Sequence, residues 1–199
     1  MSPSRWGMYA VHVAFWTAFG ITNWIARRRR DANPTAPAVT SGEARTAPHS
    51  GGIVAFHGLA FGVMYFGIAN AVFGRLTLDW FPGHDLVGLL IIALGAFITC
   101  WARLYFSSWR FRAQLDAGHQ LATGGPYAMV RHPIYLGLDL LALGTAVWMP
   151  TVILWGAAAL MALGSDMRSR AEERLLTDVF GGAYRDYRRR TWRLVPFIY

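Results

Sequence analysis

The chain has 199 residues, 54% of them hydrophobic and only 15% charged, well below the roughly 25% charge of an ordinary soluble domain. Its length is that of about one domain, and its nine Trp, eight Tyr and twelve Phe give the aromatic load that gathers at membrane interfaces. The formal charge of +8 is carried by nineteen arginines and no lysine; these flank apolar runs, which argues against nucleic acid and for lipid headgroups as the charged partner.

The first apolar segment runs from about Trp6 to Ala26 and stops at Arg27–Arg30. The arginine run behind it, and the lack of a small-residue cleavage site, argue against a secretory signal. Residues 31–52 are rich in Pro, Ala, Thr, Ser and Gly and show no periodic apolar face, the composition of a flexible linker. A second segment covers about Ile53–Phe73 and a third about Leu86–Tyr105, each near the 20 residues a bilayer requires. The fourth begins at Ile134 and reaches Met149, where Pro150 breaks the helix. The fifth, Thr151 to about Gly164, is short for an independent span and reads as the return arm of a helical hairpin turning at Trp148-Met149-Pro150.

This pattern predicts an all-α polytopic membrane protein with about five transmembrane helices and an amphipathic C-terminal helix. With the N-terminus outside and five crossings, 17 of the 19 arginines fall on the inner side, as the positive-inside rule demands. The 103–133 loop and the 165–199 tail then share the cytoplasmic face.

Three stretches carry residues able to do chemistry. His119-Gln120-Leu121-Ala122-Thr123-Gly124-Gly125-Pro126-Tyr127 has turn chemistry, and its glycines allow a ligand close to the backbone; alone, it reads as a surface loop. Val130-Arg131-His132-Pro133-Ile134-Tyr135 opens the fourth span, with Pro133 suited to the first helical position and His132 at the cap. Such a helix start can hold an anion, or it can be a plain membrane entry. Asp139, one turn beyond Tyr135, is an ionisable group within a span and so a functional candidate by default. In the tail, Leu175, Leu176, Val179 and Phe180 recur at helical spacing after Glu172, and Arg168 lies four residues before it on the same side. Without further context that pair is a surface ion pair on an interfacial helix. Cys100, His12, His49 and His57 lack partners at metal-ligand spacing and read as packing or interface residues.

Together the stretches resemble the isoprenylcysteine carboxyl methyltransferase family and its bacterial and phospholipid-methylating relatives. The resemblance covers residues 114–197. Its anchors are Leu121-x-Thr-x-Gly-Pro-Tyr127, Arg131-His-Pro-x-Tyr135-x-Gly137, Glu172-Glu173-x-x-Leu176, Phe180-Gly181-x-x-Tyr184-x-x-Tyr187 and Val195-Pro196-Phe197. It implies an N-terminal three-span bundle over 1–110 and a catalytic region over 111–199. S-adenosylmethionine would bind at the cytoplasmic face of a bacterial inner membrane. Cofactor contacts would fall on His119, Gln120, Leu121, Ala122, Tyr127, His132, Pro133, Ile134, Tyr135 and Glu172. The resemblance implies Arg168 at the methyl acceptor, with Arg112 a looser match to the same site. It also implies a lipophilic acceptor, membrane lipids as surroundings, and neither metal nor nucleic acid. The tail departs from the eukaryotic pattern: only Glu172 and Glu173 stand where a longer acidic run is usual.

The chemistry of the cofactor agrees with these residue types. A helix start holds its carboxylate, Glu172 its ammonium, and Tyr127 and Tyr135 its adenine or sulfonium. Arg168 can fork onto an anionic acceptor, so Arg168 and Glu172 are the candidate catalytic residues and a carboxylate is the favoured acceptor, with a phospholipid amine or a thiol as alternatives. NADPH-dependent sterol reductases share the Arg-His-Pro-x-Tyr-x-Gly segment, but usually have Asn where Ile134 stands and an acid where Leu138 stands. A non-enzymatic membrane scaffold would leave five ordered motifs without a purpose.

Overall fold

The computed structural model describes residues 6–32, 45–46, 50–73, 80–106, 114–115 and 121–199. Five helices dominate: α1 (Gly7–Ala32), α2 (Ser50–Val72), α3 (His84–Tyr105), α4 (Pro133–Trp148) and α5 (Val152–Arg189). By length and composition α2 and α3 can each cross a bilayer, and α4 is a shorter apolar helix of 16 residues. Segments expected from hydropathy thus match the helices to within a few residues at most ends. Two differences stand out.

The segment expected to be a flexible linker is shorter than its composition suggested. Helix α1 continues through its arginine run to Ala32, and α2 begins at Ser50. Between them Arg45–Thr46 (β1) pairs antiparallel with Gln114–Leu115 (β2), Arg45 opposite Leu115.

The second difference is at the C-terminal end. The fifth span and the tail helix are one element, the 38-residue α5, broken only at Gly181 (φ 53, ψ −119). At 1.5 Å per residue the uninterrupted stretch 152–180 is about 43 Å long, more than the ~30 Å hydrocarbon core, so its C-terminal part extends past that thickness. No helix breaker lies between Gly164 and Gly181, which is why the chain does not stop where its hydropathy falls. At Gly181 the positive φ is accessible without a side-chain clash, and the chain turns there.

The hairpin between α4 and α5 forms at the expected place. Pro150 follows the end of α4, and the Thr151 hydroxyl accepts from the Leu154 amide at 3.1 Å to cap α5.

Packing is set by small residues. A Cβ on Gly88 would stand 2.6 Å from the Gly144 carbonyl, and one on Gly144 would stand 2.6 Å from the Gly88 carbonyl. Gly95 and Gly137 meet in the same reciprocal way. Both pairs are seven residues apart on their own helix, so α3 and α4 lie backbone to backbone along two turns, the close approach that small residues permit in membrane bundles. Polar bridges tie the rest: His12 of α1 meets the Thr145 hydroxyl of α4 at 2.9 Å, and Arg103, fully buried at the end of α3, donates to Asn23 of α1 at 2.8 Å. Helix α2 packs on α5 through His57, whose Nε2 lies 2.8 Å from Met161 Sδ.

Candidate functional site

The site forms where α4 begins, α5 leaves the apolar bundle and the C-terminal segment folds back. Pro133 occupies the first position of α4, and His132 caps the helix without a side-chain hydrogen bond. What holds His132 is backbone: its amide donates to the Arg193 carbonyl at 3.1 Å, the Arg131 amide to the Trp192 carbonyl at 2.8 Å, and the Trp192 amide to the Met129 carbonyl at 3.1 Å. The segment 192–193 is thus stitched along 129–132.

Tyr135, one turn into α4, is the hub. Its hydroxyl donates to Glu172 Oε1, the His132 ring stacks on its face (centroids 5.7 Å, 12°), and the Arg168 guanidinium lies 4.7 Å from its ring centre. Arg168 and Glu172 project from the same side of α5, one turn apart. Glu172 Oε2 also lies 3.4 Å from His132 Nδ1. Tyr135 and Arg168 are both buried, whereas the Glu172 side chain keeps 19% of its surface open. Glu172 is therefore the acidic group of this cluster that a ligand can reach.

Glu173 belongs to a densely paired network. Its side chain is 4% exposed and receives Arg131 Nε at 2.7 Å and Arg193 Nη2 at 2.9 Å, with Arg188 at 3.8 Å. Burial pushes its carboxyl up, but the neighbouring His132, Arg193 and Arg131 groups outweigh this and hold it well below the usual range. For His132, burial disfavours the charged ring, yet Glu172 and Glu173 on either side raise its pKa overall. The result is a buried His132 ring between two carboxylates, with arginines behind them.

The glycine loop supplies the third wall. Gly125 (φ 56) opens a 3₁₀ turn, Gly125–Ala128, and Gly124 and Gly125 lie against the Tyr105 ring so closely that a Cβ at either would collide with it. Tyr127 is buried, and its carbonyl accepts from the Tyr187 hydroxyl at 2.6 Å. Ala122, Tyr127 and Ile134 pack with Ala102 and Phe106 of the α3 end.

Of the residues anticipated from sequence, Tyr127, His132, Pro133, Ile134, Tyr135, Arg168 and Glu172 come together at the meeting of loop, α4 and α5. Leu121 and Ala122 border the loop, half-buried. His119, Gln120 and Arg112 lie outside the described residues. Ile134 is 2% exposed in an apolar cluster, so its side chain is wall and only its backbone can meet a ligand. Tyr184 and Tyr187 of the tail motif are both buried. Sequence reasoning missed the Arg131–Glu173–Arg193 network and His57, whose ring lies 6.2 Å from that of Tyr135. Arg131 and Glu173 lay within the recognised motifs, but their pairing, 42 residues apart, left no local trace.

This is the fold of the membrane-embedded isoprenylcysteine carboxyl methyltransferases. The structure of the eukaryotic intramembrane Ras methyltransferase of that type superposes on the whole chain and 69% of its own length with a TM-score of 0.57, at 20% identity. The model of the phospholipid methyltransferase family matches residues 84–183, half of the sequence, and the chain belongs to that family. It is 37% identical over 82 residues to the protein-S-isoprenylcysteine O-methyltransferase of Schizosaccharomyces pombe, a match that covers 40% of this chain and 34% of the relative. The probable enzyme of the same name from Oryza sativa subsp. indica is 28% identical over 64% of this chain and 68% of its own. The cobalt-zinc-cadmium resistance protein CzcN of Cupriavidus metallidurans is 30% identical over 67% of this chain and 60% of its own. The chain thus spans about a third of the length of the fission-yeast relative, and its match to the others is broader but lower in identity.

Proposed function

We propose that the protein is an S-adenosylmethionine-dependent methyltransferase that modifies a carboxylate on a lipophilic acceptor at the cytoplasmic membrane face. The observation that carries this reading is the Tyr135–Glu172–His132–Arg168 cluster at the start of α4, in a chain of the phospholipid methyltransferase family.

The residues fit the cofactor. The first-turn amides of α4 lack intrahelical partners and offer an anion site for its carboxylate. Glu172, the open acid, matches its ammonium. The Tyr127 hydroxyl is buried without a hydrogen-bond partner among the described residues, and His132 Nε2 meets Glu173 only at 3.5 Å without hydrogen-bond geometry, so both have capacity to spare. Bound there, the cofactor supplies an electrophilic methyl group on a sulfonium.

The protein's part is positioning, which governs an in-line transfer. Tyr135 orients Glu172 through its hydroxyl. The buried Arg168 orients an anionic acceptor by a forked pair of hydrogen bonds. A carboxylate acceptor is already a nucleophile and requires no base. Five crossings with the N-terminus outside would place Arg168 and Glu172 toward the cytosol and open the site sideways to lipid.

One observation favours an amine acceptor as a second reading. Asp139, one turn deeper than Tyr135 and half-buried, accepts from the Ser165 hydroxyl at 2.6 Å. A carboxylate inside a span is costly, and beside the acceptor it would attract an ammonium and repel an acid.

The test uses labelled methyl donor with membranes containing the protein, followed by identification of the labelled lipid. Arg168→Ala should lower turnover by 100-fold or more, on the order of the 2.7–4 kcal/mol associated with a lost transition-state donor, while cofactor affinity stays nearly unchanged. Equal loss of both would remove Arg168 from the acceptor side.

A further inference from the structure

Helix α5 has a second, differently built surface. On the flank opposite Arg168, a cleft of ≈ 330 Å³ is lined by Arg170, Glu173, Arg174, Thr177, Asp178, Arg188 and Arg193. Four arginines face two acids there. Two of the arginines are fixed: Arg170 is held by Asp166 through bonds of 2.8 and 3.0 Å, and Arg193 by Glu173 at 2.9 Å. The other two are poorly matched. Arg174 has no acidic partner among the described residues, and Arg188 approaches Glu173 only at 3.8 Å with 43% of its side chain exposed. A cleft that combines fixed guanidinium groups with poorly matched ones suits a phosphate, whose oxygens take the arginine fork.

Beside the cleft, the C-terminal turn presents bare apolar side chains. Phe197 and Ile198 are 80% and 82% exposed, and Phe197 adopts a positive φ of 66°, unusual for a bulky residue. The turn is nevertheless well fastened. The Val195 carbonyl accepts from the Tyr199 amide at 2.9 Å; the Tyr199 hydroxyl donates to Asp166 at 2.6 Å and accepts from Arg170 at 2.8 Å and from Arg193. The same Tyr199 thus anchors the apolar tip and braces two arginines of the cleft. Aromatic and aliphatic tips next to arginines are the makeup of a surface that lies in a membrane interface. Arg170 and Arg174 stand six and ten residues past Gly164, about 9 and 15 Å along the helix, within reach of headgroups.

We propose that this cleft binds the phosphate of an anionic membrane lipid, with Arg170, Arg174, Arg188 and Arg193 as its ligands and Phe197-Ile198 as the apolar anchor. The site is independent of the methyl-transfer reading. Because Glu173 lines the cleft and also contacts His132, occupancy there bears directly on the network behind the candidate active site.

The experiment compares purified full-length protein in nanodiscs of phosphatidylcholine alone and with phosphatidylglycerol, measuring thermal midpoint and co-purifying lipid, with inorganic phosphate as a soluble arm. Phosphatidylglycerol should be enriched around the protein and raise its midpoint, and salt should weaken both effects. Arg174→Gln/Arg188→Gln should reduce the enrichment by about ten-fold or more, and Phe197→Ser/Ile198→Ser should reduce it as well. The midpoint of each variant in phosphatidylcholine shows whether it folds. Equal retention of the two lipids, or a preference unchanged in the double arginine variant, overturns the proposal. So does inorganic phosphate that displaces the lipid with no dependence on Phe197 and Ile198, which would make the cleft a site for soluble anions.

Discussion

Glu172 and Glu173 are neighbours in sequence, but an α-helix turns about 100° between them, and that rotation divides their roles. Glu172 faces Tyr135 and keeps 19% of its side chain exposed, and Glu173 faces Arg131 and Arg193 with 4% exposed. Glu172→Gln should weaken cofactor binding by about ten-fold, the loss of one charge-assisted contact, with little change in thermal midpoint. Glu173→Gln should instead destabilise the protein by about 3 kcal/mol, because it leaves buried arginines uncompensated. Cofactor titration and thermal unfolding of both variants separate the two effects; matching losses would refute the division. The same groups set a pH profile. The pKa of His132 is raised above 6.5, so its contribution to stability is complete below that value and is lost as pH climbs through the folded-state value. The Glu173 pKa is lowered from 4.5, so its contribution is present above 4.5 and is lost only as pH falls through a much lower folded value. Stability should hold level from about pH 4.5 to 6.5 and decline on the alkaline side. The decline should be absent in His132→Asn, and thermal midpoints from pH 5 to 9 would show it.

At the scale of the elements, the α3–α4 seam makes the strongest demand on sequence. A methyl group on Gly95 or Gly137 would meet the opposing backbone at 2.6 Å, and backbone cannot step aside as a side chain can. Gly95→Ala and Gly137→Ala should each destabilise by about 1–3 kcal/mol, the range for overpacking. Gly58→Ala and Gly156→Ala, which meet nothing within 4 Å, should be neutral or stabilising by up to about 1 kcal/mol. Thermal unfolding of the four variants checks this, and a stable Gly137→Ala would mean the helices are not so close. The helices themselves were legible from hydropathy, because length and apolarity are local properties. The seam was written only in seven-residue glycine spacings on two separate segments, and neither spacing is informative until the two are paired. The continuity of α5 was hidden for the opposite reason: hydropathy falls after Gly164 although nothing there stops a helix. At the site, the ordered motifs marked Tyr127, His132, Tyr135 and Glu172, and the family resemblance pointed to Arg168. The holding of His132 by Trp192 and Arg193 runs through backbone atoms, which leave no residue-type signature.

For the molecule as a whole, the C-terminal segment closes the site from behind. Residues 191–199 provide the carbonyls that receive the Arg131 and His132 amides, the Thr191 carbonyl that receives Arg131 Nη1, and the Arg193 guanidinium that holds Glu173. These contacts fall on Arg131, His132 and Glu173, so the tail fixes the α4 start and the network beside it. Ending the chain after Arg190 would remove them together, while the α3–α4 seam, the α2–α5 contact and the Tyr187–Tyr127 bond remain. The shortened protein should therefore keep its helical circular dichroism and lose at least about ten-fold in cofactor affinity, since even sub-ångström loosening of a binding constellation is costly. Arg193→Gln should show a smaller loss in the same direction. Calorimetric titration alongside far-ultraviolet dichroism would measure both quantities. Undiminished affinity in the shortened protein would show that α4 and α5 position His132 unaided, and loss of helicity would show that the tail is part of the fold's core.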